Sequence, residues 1–456
     1  VSLPTRRSRV RPPLPAPFLM TNTLNSNVKE ILKLGVQKHK EKKFNEAINH
    51  YKNVIKINPS IVFAHYNLGL IYEKLGKVEQ AKINYKMAIK ANPSFVYSYN
   101  NLGIISQIQG QKEKAIKYFK KIIEIDPKNL NGYNNIGLVY ASLGRYEKAL
   151  ENYFKSLKID KDNIVAIKSI IFLITYYNSN NNHPLINANN DLRLLQKKFE
   201  LSDLLEIQNL SLILKNSLEI INQLSINIDH FEFFETQAYR RNPIDLNCDY
   251  HHKVFNQYKI IPKFCFSCFK IQIEPHNVVD LIRLFFIFDN LSLSKNNQRK
   301  CMVEFRNNVS GLYKGLIYCS SFEEAEQILE DITPLLKKNL KFKVQIKRGC
   351  SEFYNLFPNY KITQADKKDF MSYNDKWQEI EQNSDIMKNF NTIKFNHSIP
   401  GLSISDFLII IHWLNYAKII GDLTYKNLNI DFFNSRFIDN KLLNQVEFRK
   451  NEFNNI

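Results

Sequence analysis

Cysteine is scarce in this chain, with six in 456 residues and none before Cys248. That is too few for a disulfide framework and fits a reducing compartment, so a cytoplasmic location is expected. Long apolar runs are missing too: the best begins at Phe407 and is interrupted by His412, Asn415 and Lys418, short of the roughly 20 residues a spanning helix needs. No membrane span is expected. With 13 glycines and 15 prolines, collagen-like order is excluded. The chain also lacks a phosphate-cradling glycine loop, an HExxH helix, a nucleophile elbow and a dinucleotide fingerprint. The leading reading is therefore non-enzymatic.

What is present is a long, basic chain of ordinary globular composition. Its length suggests about three domains, and its formal charge of +19 makes an anionic partner, nucleic acid among them, worth weighing. Most of the 63 basic residues are Lys, in a background rich in Asn, Ile, Phe and Tyr, which is the signature of A+T-rich codon usage more than of phosphate recognition by Arg. Residues 1–24 carry Arg6, Arg7, Arg9 and Arg11 among prolines, with no apolar signal core. They are expected to be disordered, with Met20 as the natural start.

The strongest signal is a period of 34 residues. Pro59, Pro93 and Pro127 keep it, as do Leu34-Gly35, Leu68-Gly69, Leu102-Gly103 and Ile136-Gly137. Ala47, Ala81, Ala115 and Ala149 recur in phase, each followed four residues on by Tyr51, Tyr85, Phe119 or Tyr153, one helical turn along the same face. Gly and Ala permit two helices to approach, the ring is expected to fill the space toward the next repeat, Gly76, Gly110 and Gly144 allow a turn, and each proline stops the second helix. The departures are Lys38, Ser106 and Lys161, the last standing where a fourth proline is due.

This pattern resembles the tetratricopeptide repeat (TPR) family over residues 28–161, as four consecutive units. The resemblance implies an all-α superhelix spanning residues 25–177, with a capping helix after the fourth unit, whose concave groove holds a protein or peptide partner. By family geometry Asn67, Asn101 and Asn135 look into that groove as an amide ladder able to pair with an extended backbone, flanked by Tyr66, Asn100 and Asn134. The alternative is that these asparagines only tie neighbouring helices together.

Beyond the repeats, residues 178–190 are Asn-rich and read as a linker, and residues 191–228 as a helical connector. Residues 229–355 alternate strand and helix in the order βαββαβ, with strands at 269–274, 299–306, 314–319 and 342–347. The expected fold class is thus α+β multidomain: the repeat superhelix, then a ferredoxin-like sandwich with helical additions, residues 356–456 forming a C-terminal helical extension. Helices should cover one face of the sheet. Lys270, Gln272, Glu304, Arg306, Lys343, Gln345 and Lys347 should lie on the other, open face, where RNA binding is an alternative function although Leu316 stands where a stacking ring belongs. A second alternative makes the C-terminal region a transferase acting on polypeptides that the repeats hold.

Cys248, His251, Cys265 and Cys268 have spacing compatible with a tetrahedral zinc site; buried thiols are the competing reading. A straight strand through Cys265 and Cys268 would send them to opposite faces, so zinc needs a turn after Pro262. No other cofactor is implied.

Overall fold

The computed structural model describes residues 25–224, 236–240, 248–306, 309–350, 352–360, 371–383, 398–434 and 436–455. The segment 1–24, expected to be disordered, lies outside them. The chain divides into two compact units, residues 1–169 and 170–456.

In the first unit α1 (Ser26–Lys40) pairs with α2 (Phe44–Ile57), α3 (Val62–Lys74) with α4 (Val78–Ala91), α5 (Val96–Ile108) with α6 (Lys112–Ile125), and α7 (Leu130–Ser142) with α8 (Tyr146–Ile159). Each second helix also packs on the first helix of the next hairpin. The glycine before each turn of pairing explains the closeness. A Cβ at Gly69, Gly103 or Gly137 would lie 2.5, 2.4 or 2.6 Å from the ring of Tyr85, Phe119 or Tyr153, so the expectation of a ring turned toward the next repeat is corrected: the aromatic packs against the glycine of its own hairpin. The turn glycines Gly76, Gly110 and Gly144 have φ of +72°, +76° and +72°, and Lys42 takes the same left-handed conformation in the first hairpin, at +62°.

Proline is not what the four units share at their ends. Asn58, Asn92, Asp126 and Asp160 each accept, through a side-chain oxygen, the backbone N–H two residues on. This Asx turn repeats every 34 residues and stops α8 without a proline, which is why Lys161 is tolerated.

α9 (Ile164–Tyr176) contains the boundary between the units. Next come α10 (Pro184–Gln196), α11 (Leu201–Leu204) and α12 (Ile207–Asn222). The linker reading of 178–190 is corrected: from Pro184 that stretch is helix, with Leu185, Ile186, Ala188 and Asn189 buried. Its asparagines serve structure, since Asn189 donates to the Ile174 carbonyl and accepts from the Ile404 N–H. His183 caps the helix.

The second unit is built on an antiparallel sheet. β1 (Gln237–Arg240), α13 (Cys248–Tyr258), α14 (Lys263–Ser267), β2 (Phe269–Pro275), α15 (Val278–Asn290), β3 (Arg299–Val303), β4 (Tyr313–Cys319), α16 (Phe322–Asn339) and β5 (Phe342–Arg348) follow in turn. The strand order is β1-β3-β4-β2-β5, so a short edge strand joins the four expected ones. α15 and α16 cover one face: Leu284 and Phe288 fill the space above Gly315, and Phe322 packs edge-on against Phe269. The other face is less open than expected, because Gln272, Glu304 and Lys270 are buried. Alternation assigns a residue to a face but does not say how much of that face water reaches.

Farther on lie α17 (Lys376–Asn383), α18 (Ile404–Ile420), α19 (Arg436–Leu442) and α20 (Val446–Asn454). Ser403 and Asp406 form a capping box on α18, and Gly421, at φ +91°, ends it. Arg240, buried against the Phe285 ring at 4.2 Å, pairs with Asp289 and Asp406 at 2.8 Å each.

Candidate functional site

The first helices of the hairpins carry the residues that the repeat pattern singled out. Tyr66 and Asn67 sit on α3, Asn100 and Asn101 on α5, and Asn134 and Asn135 on α7, all of them at least nine-tenths buried. The helices are helical there because Leu68, Leu102 and Ile136, next to these amides, anchor in the core while the glycine beside each admits the ring of its partner helix.

The amides meet one another. Asn135 Nδ2 donates to Asn100 Oδ1 at 2.8 Å, joining α7 to α5, and Asn100 Nδ2 is 3.4 Å from Asn101 Oδ1. Asn134 Nδ2 lies 3.4 Å from Asn163 Oδ1, which also accepts the first N–H groups of α9. Asn163 was not among the residues chosen from sequence, although it stands one period after Asn129, the N-cap of α7. Among the described residues, Asn67 Oδ1 and Asn134 Oδ1 have no hydrogen-bond partner, while the Asn101 amide lies against the Tyr66 and Tyr85 phenols. Burial pushes the Tyr66 phenol up to about 12, with the Asn101 amide acting the other way, so Tyr66 is a neutral hydroxyl here.

The cysteines are arranged differently from the spacing that suggested them. α14 supplies the turn after Pro262, so Cys265 lies on a helical turn and Cys268 at its exit. Pairing of β2 with β5 then brings the end of β5 alongside, the Gly349 N–H donating to the Cys268 carbonyl at 2.9 Å. Cys350 joins Cys265 in one apolar cluster with Ile261, Phe353 and Tyr360. Cys350 is hydrogen-bonded to Cys248, which acts to lower its pKa, but its bond with Cys265 and its burial win and raise the thiol well above the usual range. Burial pushes Cys268 up to about 12. His251 stacks on Phe264 at 5.2 Å, and burial holds its pKa at about 4. Among the described residues no group of three or more His, Cys, Asp or Glu side chains is placed to hold a metal ion. Cys350 lay outside the spacing argument because only pairing of β2 with β5 brings it into the cluster of Cys265.

Family models described as TPR repeat and Tetratricopeptide repeat match residues 35–76 and residues 62–95, 96–129 and 131–163, respectively. Among solved structures, a crystal structure of MamA is 29% identical over 30% of this chain and 81% of that one, with a TM-score of 0.29. A Pseudomonas aeruginosa pilF structure is 19% identical over 32% of this chain and 67% of that one, at 0.30. The first TPR of Spaghetti (RPAP3), solved bound to the HSP90 peptide SRMEEVD, is 22% identical over 27% of this chain and 99% of that one, at 0.25. No curated protein matches the chain. Among the described residues no helix is long and apolar enough to cross a membrane.

Proposed function

We propose that the tetratricopeptide repeats of residues 35–163 are a protein-interaction scaffold, and that an extended partner segment lies along the first helices of the hairpins. The observation that supports this is the recurrence of amides one period apart on the first helices α3, α5 and α7, with Asn67 Oδ1 and Asn134 Oδ1 unpartnered among the described residues. A buried amide atom left unpaired costs about 1–3 kcal/mol. A peptide backbone carries one donor and one acceptor per residue and could pair with these amides, whatever its own sequence, once the first helices part enough to expose them. Asn100 and Asn135, which bond each other, hold α5 and α7 together in this reading.

The order β3-β4-β2-β5 with α15 and α16 on one face supports a ferredoxin-like reading of the second unit, with β1 as an added edge strand.

The test compares full-length protein with the Asn101→Ala, Asn134→Ala double variant as bait, then measures affinity for the partner captured. Roughly tenfold weaker binding is expected, together with a lower melting temperature from the lost contacts with Asn100 and Asn163. If the double variant binds as tightly and merely melts earlier, the amides serve helix packing and the groove proposal fails. Asn135→Ala gives the opposite result, a loss of about 1 kcal/mol in stability with affinity retained.

A further inference from the structure

Cys350 is hydrogen-bonded to two other thiols, those of Cys248 and Cys265. The three come from separate parts of the sequence. Cys248 is the first residue of α13, Cys265 lies on α14, and Cys350 follows β5, whose pairing with β2 returns the chain to α14. They differ in access to water. Cys248 is half-buried, whereas Cys265 and Cys350 are buried in a cluster with Ile261, Phe353 and Tyr360. The backbone around them is fixed by the Tyr360 hydroxyl, which donates to the Cys265 carbonyl at 2.7 Å, and by the Gly349 N–H, which donates to the Cys268 carbonyl at 2.9 Å. Among the described residues no set of such side chains is placed to hold a metal ion. Thiols in contact with one another but not gathered round a metal are placed for the reaction that joins sulfurs in pairs.

We propose that this cluster is a site of oxidative modification, at which a hydroperoxide converts Cys248 and Cys350 into an intramolecular disulfide, Cys248 reacting first. The Cys248 thiolate attacks the peroxide: an S–O bond forms, the O–O bond breaks, and the outer oxygen takes a proton and leaves as water. Cys350 then attacks the Cys248 sulfur. The S–S bond forms, the S–O bond breaks, and the oxygen leaves as a second water with the proton of Cys350. Two thiols are oxidised and one hydrogen peroxide is reduced to two waters. The order of events follows from position. Cys248 is reached by solvent and stands at the N-terminal end of α13, where the helix dipole favours negative charge. Cys350 is buried and holds its proton, its pKa lying well above the usual thiol range, so it resolves the sulfenic acid next to it and does not meet the peroxide itself. Because Cys248 stays half-exposed, the disulfide is open to reduction by thiols and the modification is reversible.

The experiment treats full-length protein with hydrogen peroxide at a dose that leaves Cys301, fully buried in β3, free to be alkylated after denaturation. Linked peptides are then mapped by mass spectrometry. A peptide pair joined through Cys248 and Cys350, lost on treatment with dithiothreitol, is the expected result. Cys248→Ser should slow the loss of the Cys350 thiol about tenfold or more, and Cys350→Ser should leave Cys248 as a sulfenic acid that dimedone traps. The wild-type map decides the matter even where a serine variant fails to fold. The proposal is overturned if Cys248 and Cys350 both remain free at a dose that oxidises Cys301, if Cys350 is found joined to Cys265 alone, or if Cys248→Ser loses the Cys350 thiol as fast as the wild type does. Release of an equivalent of zinc as the thiols are oxidised also overturns it and assigns the cluster to a metal.

Discussion

The two units handle polarity in opposite ways. In the repeat unit the charges stay in water, as in the exposed pairs Lys82–Glu79 and Arg145–Glu113, while what is buried is neutral: asparagine amides, tyrosine hydroxyls and the imidazole of His39. In the sheet unit full charges are buried. Arg240 is paired with Asp289 and Asp406, Lys314 with Glu304, and the Asp422 carboxylate accepts from Tyr313 and the Val278 N–H. The partners in the first unit are a turn or a repeat apart; those in the second are separated by as many as 166 positions. A neutral, local core tolerates change one hairpin at a time, whereas buried charges make distant segments depend on one another.

The largest expected effect breaks that contrast directly. Arg240→Met leaves Asp289 and Asp406 buried without their cation and should cost about 3–5 kcal/mol. The exposed equivalent, Arg145→Met beside Glu113, should cost less than about 1 kcal/mol. Denaturant titration measures both, and hydrogen exchange locates them: Arg240→Met should release α15 and α18 while α3 to α6 keep their protection. Equal costs for the two variants would show that burial of the Arg240 cluster contributes nothing.

Gly103→Ala probes the neutral core. Its Cβ would stand 2.4 Å from Cε1 of Phe119, a ring with no exposed surface, and overpacking of this kind costs about 1–3 kcal/mol. Phe119→Leu in the same chain should recover part of the loss. Without that recovery, the ring is not what excludes a side chain at Gly103.

The contrast also marks what the sequence could show. The repeat was legible because each hairpin needs only its neighbours, so Gly69 facing Tyr85 and Gly103 facing Phe119 leave the same trace every 34 residues. Even there, proline drew attention from the Asx residue that ends every unit. In the sheet unit the four longer strands and both covering helices were readable from alternation and from the Ser321 cap. β1 was not, since four residues carry too little period and its partner β3 lies far along the chain. The contact of Cys350 with Cys265 and the shielding of Lys270 arise from packing alone.

Acid should weaken both units, through His39 in the first and through His251 in the second, where burial lowers His183 as well. Burial holds His39 in α1 and His251 in α13 at about 4, against an ordinary 6.5. Both are neutral when folded, so the unfolded chain binds more protons between those values. Stability is full above pH 6.5 and falls as pH drops toward 4. His39→Gln should flatten the fall for α1 and α2, an effect on the order of 1 kcal/mol after screening by water. Melting curves across that range, with exchange protection read in α1 and α13, separate the two histidines. An unchanged slope at α1 would mean that His39 reaches its proton without unfolding.

The smallest expected change is a gain, and it tests whether the first hairpin obeys the rule of the other three. Lys42 occupies the turn position of Gly76, Gly110 and Gly144 and adopts their left-handed backbone, at φ +62°. A residue with a Cβ is strained there by about 1–2 kcal/mol. Glycine removes that strain but loses more entropy on folding, a cost of about 0.5–1 kcal/mol, so Lys42→Gly should stabilise the first hairpin by about 0.5 kcal/mol on balance. The Lys42 side chain is exposed, and its N–H donates to the His39 carbonyl, a bond that glycine keeps. The converse substitution, Gly110→Lys, places the same strain in the third hairpin, where a Cβ meets open space, and should lower stability by a similar amount. Opposite signs of similar size would make the four turns interchangeable; a loss at Lys42 would show that the first turn is held by its lysine rather than in spite of it.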